Sequence, residues 1–247
     1  MADASSGHNY ATAEPVRSHT AHVVRELGMG IVAGNFEQGS ILPGDADLMH
    51  RFGVSRTVLR EALRTLAGKG LIQAKARIGT RVRDKAEWTL FDADVLVWHA
   101  EVGFDGQFLG YLGEMRMALE PEAAALAALR RTPLQVQHLY GWVEKMGGDG
   151  VSAAGFVDAD LSFHLAVAAA AGNPFLRSIS TLIEVALVAS LTRSSPVEDR
   201  ARHAAVVAAH RRVADAIARR DAEVARSVMQ DVIAEGVARN GASKRRT

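Results

Sequence analysis

Hydrophobic residues recur every three or four positions in the first part of the chain, and this spacing predicts a helix. Over residues 21–32 the apolar side chains fall on one helical face. Gly34, Gly39 and Pro43 then predict a turn-rich segment, and Ser55 is well placed to cap a later helix. The predicted elements are, in chain order, helices at 21–32, 45–52 and 56–66, a strand at 71–75, a tip at 76–79 and a strand at 80–83.

The pattern changes after Trp88. Glycine and strand signals become rare, and long segments rich in Ala, Leu and Val keep helical spacing almost to the C-terminus. These segments are divided at Asp105-Gly106, Thr132-Pro133, Gly147–Gly150, Asn173-Pro174, Ser194–Pro196 and Asp221. At three of these breaks a proline follows a capping residue, which is typical of a helix start. The breaks predict about six helices, so we expect an all-helical bundle here.

Composition limits the kinds of protein this chain can be. Of its 247 residues 48% are hydrophobic, which is enough for a core, and none is cysteine. The lack of cysteine excludes disulfide scaffolds, Cys-ligated metal sites and thiol nucleophiles. The first residues are polar, and no stretch reaches about 18 uninterrupted apolar residues. The pattern therefore favours neither export nor a membrane partner, and we expect a cytoplasmic protein.

The formal net charge is +1, but the charges are unevenly distributed. Residues 51–85 hold ten Lys and Arg against two acidic residues, a net charge of +8, whereas residues 86–170 hold four against twelve, a net charge of −8. A basic stretch on a helix-turn-helix pattern is typical of a DNA-binding module, because neutralised phosphates release counterions. The two parts of the chain are therefore expected to have different partners.

The helix predicted after Ser55 has the geometry of a DNA-reading helix. Arg56, Arg60 and Arg64 are four residues apart on one face, and the opposite face is apolar. Such a helix can lie in the major groove with Ser55, Arg56 and Thr57 near bases or phosphates. Taken alone, an arginine stripe is more often a solvated helix face.

A longer run of residues is more specific. Between Ile41 and Val82 the chain contains, in order, ILPGD, FGVSRTVLREAL, GLI and GTRV. This run closely resembles the winged helix-turn-helix of the GntR family of bacterial repressors. The resemblance implies that Arg56 and Arg60 contact operator DNA and that the wing tip at 77–80 reaches the minor groove. The DNA-binding residues expected on these grounds are Arg51, Ser55, Arg56, Thr57, Arg60, Arg77, Gly79 and Thr80.

Two positions depart from the family pattern. Ala46 stands where the family often has a DNA-contacting arginine, and Arg77 stands where the wing has its first glycine. Arg77 is itself a candidate for a minor-groove or phosphate contact.

Polar residues at helical spacing in the acidic part are candidates for a metal site. Asp160 and His164 lie one turn apart, so a carboxylate and an imidazole can share one metal ion. His203 and His210 on a later helix are candidates to join them. The simpler alternative for the Asp160 and His164 pair is a surface hydrogen bond.

The same region contains DLSFH at 160–164, AGN at 171–173 and HRRVADAI at 210–217. These segments resemble the all-helical FCD effector domain of the FadR subfamily of GntR proteins. The resemblance implies that Asp160, His164 and His210 bind a divalent metal, for which Zn, Ni or Mn suits the ligand set. The usual last histidine ligand is replaced by Val232.

The effector class follows from weaker signals. Arg116 and Glu120, one turn apart, predict an ion pair, but EMR and LEPEAA at 114–124 also match the FCD pattern. Arg116 is our candidate to bind an effector carboxylate through a bidentate fork. Asn173 is a second candidate for effector binding, although a helix cap is its simpler role.

The junction WTLFDADVLVW at 88–98 and the missing last histidine resemble the galactonate-operon repressors of this subfamily. That resemblance implies a small carboxylate effector, with a sugar acid such as a hexonate favoured. In a simpler interpretation, the apolar residues of the junction form an interdomain hydrophobic contact whatever the ligand.

Together the patterns predict a mostly α protein. An N-terminal winged helix-turn-helix domain, α with a small β-hairpin wing, precedes a C-terminal all-α helical-bundle FCD domain. The predicted segments are a disordered arm at 1–17, the DNA-binding domain at 18–86, an interdomain linker or short helix at 87–100, the effector-binding and dimerisation domain at 101–240, and a basic tail at 241–247.

The expected function is ligand-responsive repression of transcription. A homodimer would place two recognition helices on a palindromic operator of double-stranded DNA, because one helix reads too few base pairs for useful specificity. A metal-dependent enzyme on a helical bundle is an alternative, but no general base is apparent and the basic module would have no role. We therefore expect no enzyme activity. A DNA binder without an effector is the other alternative.

Overall fold

The computed structural model describes residues 13–103, 106–178, 184–185, 187–188 and 196–243. The chain divides into two units, Met1–Gly103 and Phe104–Thr247. Each unit has a hydrophobic core of its own.

The first unit contains the predicted order of helices and strands. Its described elements are α1 (Ala13–Val32), α2 (Asp45–Phe52), α3 (Arg56–Gly68), β1 (Ile72–Lys75), β2 (Gly79–Val82), a short 3-10 turn (Lys85–Glu87) and α4 (Ala93–Val102). The predicted strands differ from the observed ones by one residue at their ends. The prediction of a small β-hairpin after three helices is confirmed.

The described part of helix α1 starts at Ala13, so residues 13–17 of the predicted arm are helical in the structure. The segment has no apolar periodicity, but Ala13 and Glu14 are good helix formers. Pro15 lies in the first turn, where the helix needs no backbone N–H from it. Residues 1–12 of the predicted arm lie outside the described residues.

The core of the first unit joins one face of α1 to the apolar face of α3. Leu27, Ile31, Leu59 and Leu66 are fully buried there. Helix α2 ends at Gly53, whose φ of 62° is a left-handed conformation that favours glycine. This tight turn sets the direction in which α3 leaves α2.

The hairpin is antiparallel, with Ile72 paired to Val82 and Lys75 paired to Gly79. The loop after α1 adds to its edge, since Ile41 forms a bridge with Arg81 and the backbone N–H of Leu42 donates to the Thr80 carbonyl over 2.8 Å. The wing is therefore attached to the loop before α2 as well as to α3.

The segment 87–100, predicted as an interdomain linker or short helix, packs within the first unit. Its residues from Ala93 onward belong to helix α4, which lies against α1. The approach is close, because a Cβ added to Gly28 would lie 2.3 Å from the ring of Trp98. Burial of Val95 and Trp98 explains this position: a helix with so apolar a face is stabilised by packing on a core.

The second unit is all helical in its described part. Its helices are α5 (Gly106–Arg130), α6 (Pro133–Met146), α7 (Ala153–Ala170), α8 (Pro174–Ser178), α9 (Arg200–Ala218) and α10 (Ala222–Ser243). Residues 184–185 and 187–188 are also helical. This fold class agrees with the predicted bundle.

Most predicted helix breaks are found where they were expected. Thr132 and Gln135 form a reciprocal capping box at the start of α6, with Pro133 in the first turn. At the break predicted for Ser194–Pro196, Pro196 is non-helical, and Asp199 caps α9 through the backbone N–H groups of residues 201 and 202. Ser194 and Ser195 lie outside the described residues.

The predicted basic tail begins inside a helix, because α10 continues to Ser243. Residues 244–247 lie outside the described residues. Alanines and glycines allow close packing along this helix, and a Cβ added to Gly113 on α5 would lie 2.7 Å from Val237.

Helix α7 is long and apolar enough to cross a membrane by length and composition alone. Its Phe156, Phe163 and Val167 are buried in the core of the second unit, where they contact the other helices. The helix thus has the environment of a core helix in a globular domain.

Candidate DNA-binding surface and metal centre

Helix α3 presents one buried and one exposed face. Ser55 caps it, since its hydroxyl accepts a hydrogen bond from the backbone N–H of Val58 over 3.4 Å. Its buried residues are Val58, Leu59, Ala62 and Leu66. The predicted contact residues Arg56, Thr57 and Arg60 are exposed at its N-terminal end.

The three arginines of this helix differ in their partners. Arg64 forms an ion pair with Glu61, with 2.9 Å between Nη1 and Oε1. Arg56 and Arg60 make no ion pair with any described residue of the chain. Their charges are therefore available to phosphates or base edges, whereas that of Arg64 is partly neutralised.

The remaining DNA-binding candidates lie on α2 and the wing. Arg51 is exposed near the end of α2, with its guanidinium 5.3 Å from the ring centre of Phe52. Arg77 and Gly79 are exposed at the wing tip, and Thr80 is half-buried in β2. Arg81, which the sequence did not single out, donates through Nε to the Gly39 carbonyl over 3.0 Å, so it stabilises the wing.

The wing tip carries a strained residue. Arg77 has a φ of 63°, a left-handed conformation in which a side chain with a Cβ is disfavoured by about 1–2 kcal/mol. This is the position at which the GntR pattern has glycine, so the conformation explains the family preference. In this chain the position carries an exposed cation, and the strain of its conformation lowers the stability of the first unit.

We expect Arg77→Gly to stabilise the first unit by about 0.5–1 kcal/mol, because the relief of strain exceeds the greater entropy of glycine in the unfolded chain. The same variant should bind DNA more weakly, and the slope of log affinity against log salt should fall by about 0.9. Urea denaturation and salt-dependent fluorescence anisotropy measure the two effects. Arg77→Ala is the matched control: it removes the charge but keeps the strain, so equal stability of the two variants would contradict this explanation.

Three candidate metal ligands converge inside the second unit. The ligand atoms of Asp160, His164 and His210 all lie within 4.8 Å of one another. Oδ1 of Asp160 is 3.1 Å from Nε2 of His210, and Nε2 of His164 is 3.4 Å from Nε2 of His210. All three side chains are at least 95% buried. Helix α7 places Asp160 and His164 on one face, and α9 brings His210 against them.

The other ring nitrogens have neighbours that favour a proton on each Nδ1. Nδ1 of His210 donates to the backbone carbonyl of Val206 over 2.8 Å. Nδ1 of His164 is 2.5 Å from Oε2 of Glu120, a contact not aligned as a hydrogen bond but close enough to favour a proton on Nδ1. When both rings are neutral, each Nε2 then has a lone pair directed at the shared position, which is the arrangement that supports a metal-ligating histidine.

The residues present therefore fit a divalent cation. Two imidazole lone pairs and a carboxylate oxygen so close together repel one another unless a cation or a proton lies between them. The cavity they line is about 10 Å³, the space of about one water molecule. Nitrogen and oxygen ligands suit Zn, Ni or Mn. Val232, which also lines the cavity, offers no fourth ligand from α10.

Glu120 is a residue of this site whose role the sequence did not predict. Its carboxylate lies between Arg116 and His164, with Oε1 2.5 Å from Nε of Arg116. Burial opposes ionisation of Glu120, but Arg116 and His164 outweigh it and lower the pKa of the carboxyl to about 2. Burial also opposes ionisation of Asp160, and His210 is the main group that keeps its pKa low. Both carboxylates are therefore charged.

The two predicted effector-binding residues are in different places. Arg116 lines the cavity, but its guanidinium is engaged by Glu120. Asn173 caps α8, with its Oδ1 accepting from the backbone N–H of Phe175 over 3.0 Å, and it does not line the cavity. His203 is also apart from the ligands, since its Nε2 lies 2.7 Å from the Met146 carbonyl oxygen.

Comparison with known proteins gives two family matches. Residues 19–82 match the model of the bacterial regulatory proteins of the gntR family, and residues 111–235 match the FCD domain. The chain is 30% identical over 220 residues to the galactonate operon transcriptional repressor of Escherichia coli K12, covering 89% of this chain and 96% of that protein. It is 35% identical over 162 residues to the HTH-type transcriptional regulator YieP of the same organism, covering 65% and 70%.

Among solved structures, the fold resembles that of Lar, described as controlling expression of the Listeria monocytogenes agr system. The TM-score is 0.59 at 20% sequence identity, with 90% of this chain and 96% of that chain covered. At this identity the similarity concerns the fold.

Proposed function

The chain belongs to the gntR family of bacterial regulatory proteins and is a DNA-binding transcriptional regulator with an FCD domain, not an enzyme; on this basis we propose that it represses an operon for the catabolism of a sugar acid or a related carboxylate. The observation that carries the DNA-binding part is the pair Arg56 and Arg60. Both are exposed at the capped end of α3 without an ion-pair partner among the described residues.

The effector class is supported by the charges around the cavity. With both imidazoles neutral, Arg116 carries one positive charge against the carboxylates of Glu120 and Asp160, and Glu235 in the cavity lining adds a third carboxylate. The charge around the cavity is therefore negative and repels an acid. A divalent cation on Asp160, His164 and His210 would offset that negative charge and supply a Lewis acid for carboxylate or hydroxyl oxygens. The relative named as galactonate operon transcriptional repressor supports a hexonate as the effector, although that name describes the relative.

The cavity constrains how such an effector binds. A volume of about 10 Å³ accepts one ion or water molecule and not a six-carbon acid. Effector binding must therefore displace side chains that line it, such as Leu187, Val232 or Glu235. An effector that binds only the displaced arrangement favours it over the closed one by its binding free energy. An allosteric response requires such a difference in affinity between two states.

We propose a homodimer on a palindromic operator in the cytoplasm. A single recognition helix reads few base pairs, and two related by a twofold axis multiply the discrimination. Effector binding in the FCD domain would alter the separation of the two helices and release the operator.

Two experiments test the proposal. Selection from random duplex DNA should yield a palindromic sequence bound by the purified protein, and recovery of no preferred sequence would contradict specific regulation. A thermal-shift screen of sugar acids, hydroxy acids and amino acids, with and without a chelator, tests the effector. A stabilising shift with a hexonate that the chelator abolishes is the expected result; no shift with any acid would favour a DNA binder without an effector.

The metal itself should stabilise the protein. With Zn²⁺ at about one hundred times its Kd, the free energy of unfolding should rise by about 2.7 kcal/mol, because only the folded state holds the three ligands together. For a chain of this size each kcal/mol raises Tm by about 2–4 °C. Calorimetry with and without chelator measures the shift.

His210→Ala should abolish most of that zinc shift. The matched control is His203→Ala on the same helix, which removes a contact with the Met146 carbonyl but no candidate ligand. His203→Ala should lower Tm yet keep the zinc-dependent increase. If His210→Ala also keeps it, the assignment of this metal centre is wrong.

A further inference from the structure

Lys69, the residue directly after α3, is held by two carboxylates from the start of α4. Its Nζ lies 2.8 and 2.9 Å from the two oxygens of Asp92 and 2.7 Å from Oδ2 of Asp94. The lysine side chain is only 12% exposed, and its ammonium lies 5.7 Å from the ring centre of Trp98. A nearly buried cation with two counter-charges is more than a solvated surface contact.

Asp92 does two things at once. While it binds Lys69, its Oδ1 also accepts from the backbone N–H groups of Asp94 and Val95, over 3.0 and 3.3 Å, and so caps α4. The backbone adds a link, because Thr89 donates its N–H to the Lys69 carbonyl over 3.0 Å. The end of α3 and the start of α4 are thus fastened together by side chains and main chain.

The charges of Lys69, Asp92 and Asp94 stabilise this contact near neutral pH. Burial lowers the pKa of Lys69, but hydrogen bonds and charge interactions with Asp92 and Asp94 outweigh burial and raise it above the usual value. Without the lysine, Asp92 and Asp94 would repel each other at the start of α4.

The place of α4 in the chain gives the contact its importance. Helix α4 is the last element of the first unit, and only residues 103–105 separate it from α5 of the FCD domain. Any force passed along the chain from the FCD domain therefore arrives through α4. At the other end of α4 the ion pair between Arg25 and Glu101 is more exposed, with Arg25 50% exposed.

We propose that Lys69 is a positioning residue for DNA binding: with Asp92 and Asp94 it locks α4 to the end of the recognition helix, so that the two helices move as one body. This inference rests on the proposed function, because it assigns a means by which the FCD domain controls α3. Without the lock, each recognition helix would still bind its half-site, but two of them would no longer be held at the spacing of a palindrome.

The lock can be measured directly, because the chain contains no cysteine and spin labels can be placed cleanly. We would label Ala67→Cys on α3 and Val97→Cys on α4, both exposed, and measure their distance distribution in the full-length protein by pulsed electron paramagnetic resonance. Lys69→Met keeps the apolar stem but removes the charge, and it should broaden the distribution. Lys69→Arg should restore a narrow one, since its fork can reach two carboxylates. An unchanged distribution in Lys69→Met would overturn the lock.

The functional readout compares the selected palindrome with one half-site. Lys69→Met should bind the half-site like wild type within about two-fold but lose about 10- to 100-fold on the palindrome, because the effective concentration of the second recognition helix falls. In the Asp92→Asn/Asp94→Asn background, where asparagine can still cap α4, Lys69→Met should add no further loss. Arg25→Met, at the other end of α4, is the matched control and should keep the wild-type ratio.

The outcomes separate the two proposals. If wild type selects no sequence, the proposed function fails, while the spin-label distances still report on the lock. If wild type prefers the palindrome and Lys69→Met keeps that preference, the positioning role is wrong.

Discussion

Replacing both Arg56 and Arg60 with alanine should abolish specific operator binding. Each arginine that contacts a base edge contributes about 1–3 kcal/mol, so the double variant should lose about 2–6 kcal/mol, or roughly 30-fold to more than 10⁴-fold in affinity. The protein should remain folded, because both side chains are exposed and the apolar face of α3 is unchanged. Gel shift or fluorescence anisotropy on the selected operator measures the loss.

Arg64→Ala is the matched control for this experiment. Arg64 is on the same helix and is also exposed, but Glu61 partly neutralises it and it lies one turn farther from the capped end. Its removal should weaken binding uniformly across sequences and by far less. Unchanged affinity in the Arg56→Ala/Arg60→Ala variant would show that α3 does not read the operator.

The DNA-binding helix could be predicted because its determinants are local. The spacing of apolar residues sets the buried face of α3, and Ser55 precedes it at the position of a cap. The strain at Arg77 was visible only as a departure from glycine in the family pattern, since a sequence contains no φ angle. The lock at Lys69 could not be predicted, because Asp92 is 23 residues away and is brought near by the tertiary packing of the segment 88–102.

Part of the candidate metal centre could be predicted because two of its ligands lie on the same helix. The prediction was incomplete because another residue of the site comes from a different helix. Asp160 and His164 are one helical turn apart, so α7 alone sets their common face. The pairing of Arg116 with Glu120 was also predicted from a one-turn spacing on α5. What the spacing could not indicate is that the carboxylate of Glu120 contacts His164 on a different helix, which makes it a support for the metal ligand.

The place of the segment 87–100 in the fold depends on contacts that a sequence pattern does not contain. One interpretation of its apolar positions was a contact between domains. In the structure Trp88, Val95 and Trp98 instead belong to the core of the first unit, and the division falls at Gly103. Periodicity identifies the buried face of a helix but does not identify the element that covers it.

Glu120→Gln should be strongly destabilising. It removes the counter-charge of a buried guanidinium, and Arg116 remains charged because arginine does not deprotonate in proteins. Removal of one partner from a buried ion pair costs about 3–5 kcal/mol, so the second unit should unfold at a much lower urea concentration. The variant also takes the charged oxygen from Nδ1 of His164, and zinc affinity should fall about 10- to 100-fold.

Glu122→Gln is the matched control two residues away on the same helix. Glu122 is exposed and forms its ion pair with Arg226 at the surface, so its loss should leave the urea midpoint and the zinc affinity close to wild type. If Glu120→Gln unfolds at the same urea concentration as wild type, Arg116 has another counter-charge and does not depend on Glu120. If it is destabilised but binds zinc normally, Glu120 supports the fold only, and the orientation of His164 must be set by the packing of its ring against Phe163 and His210.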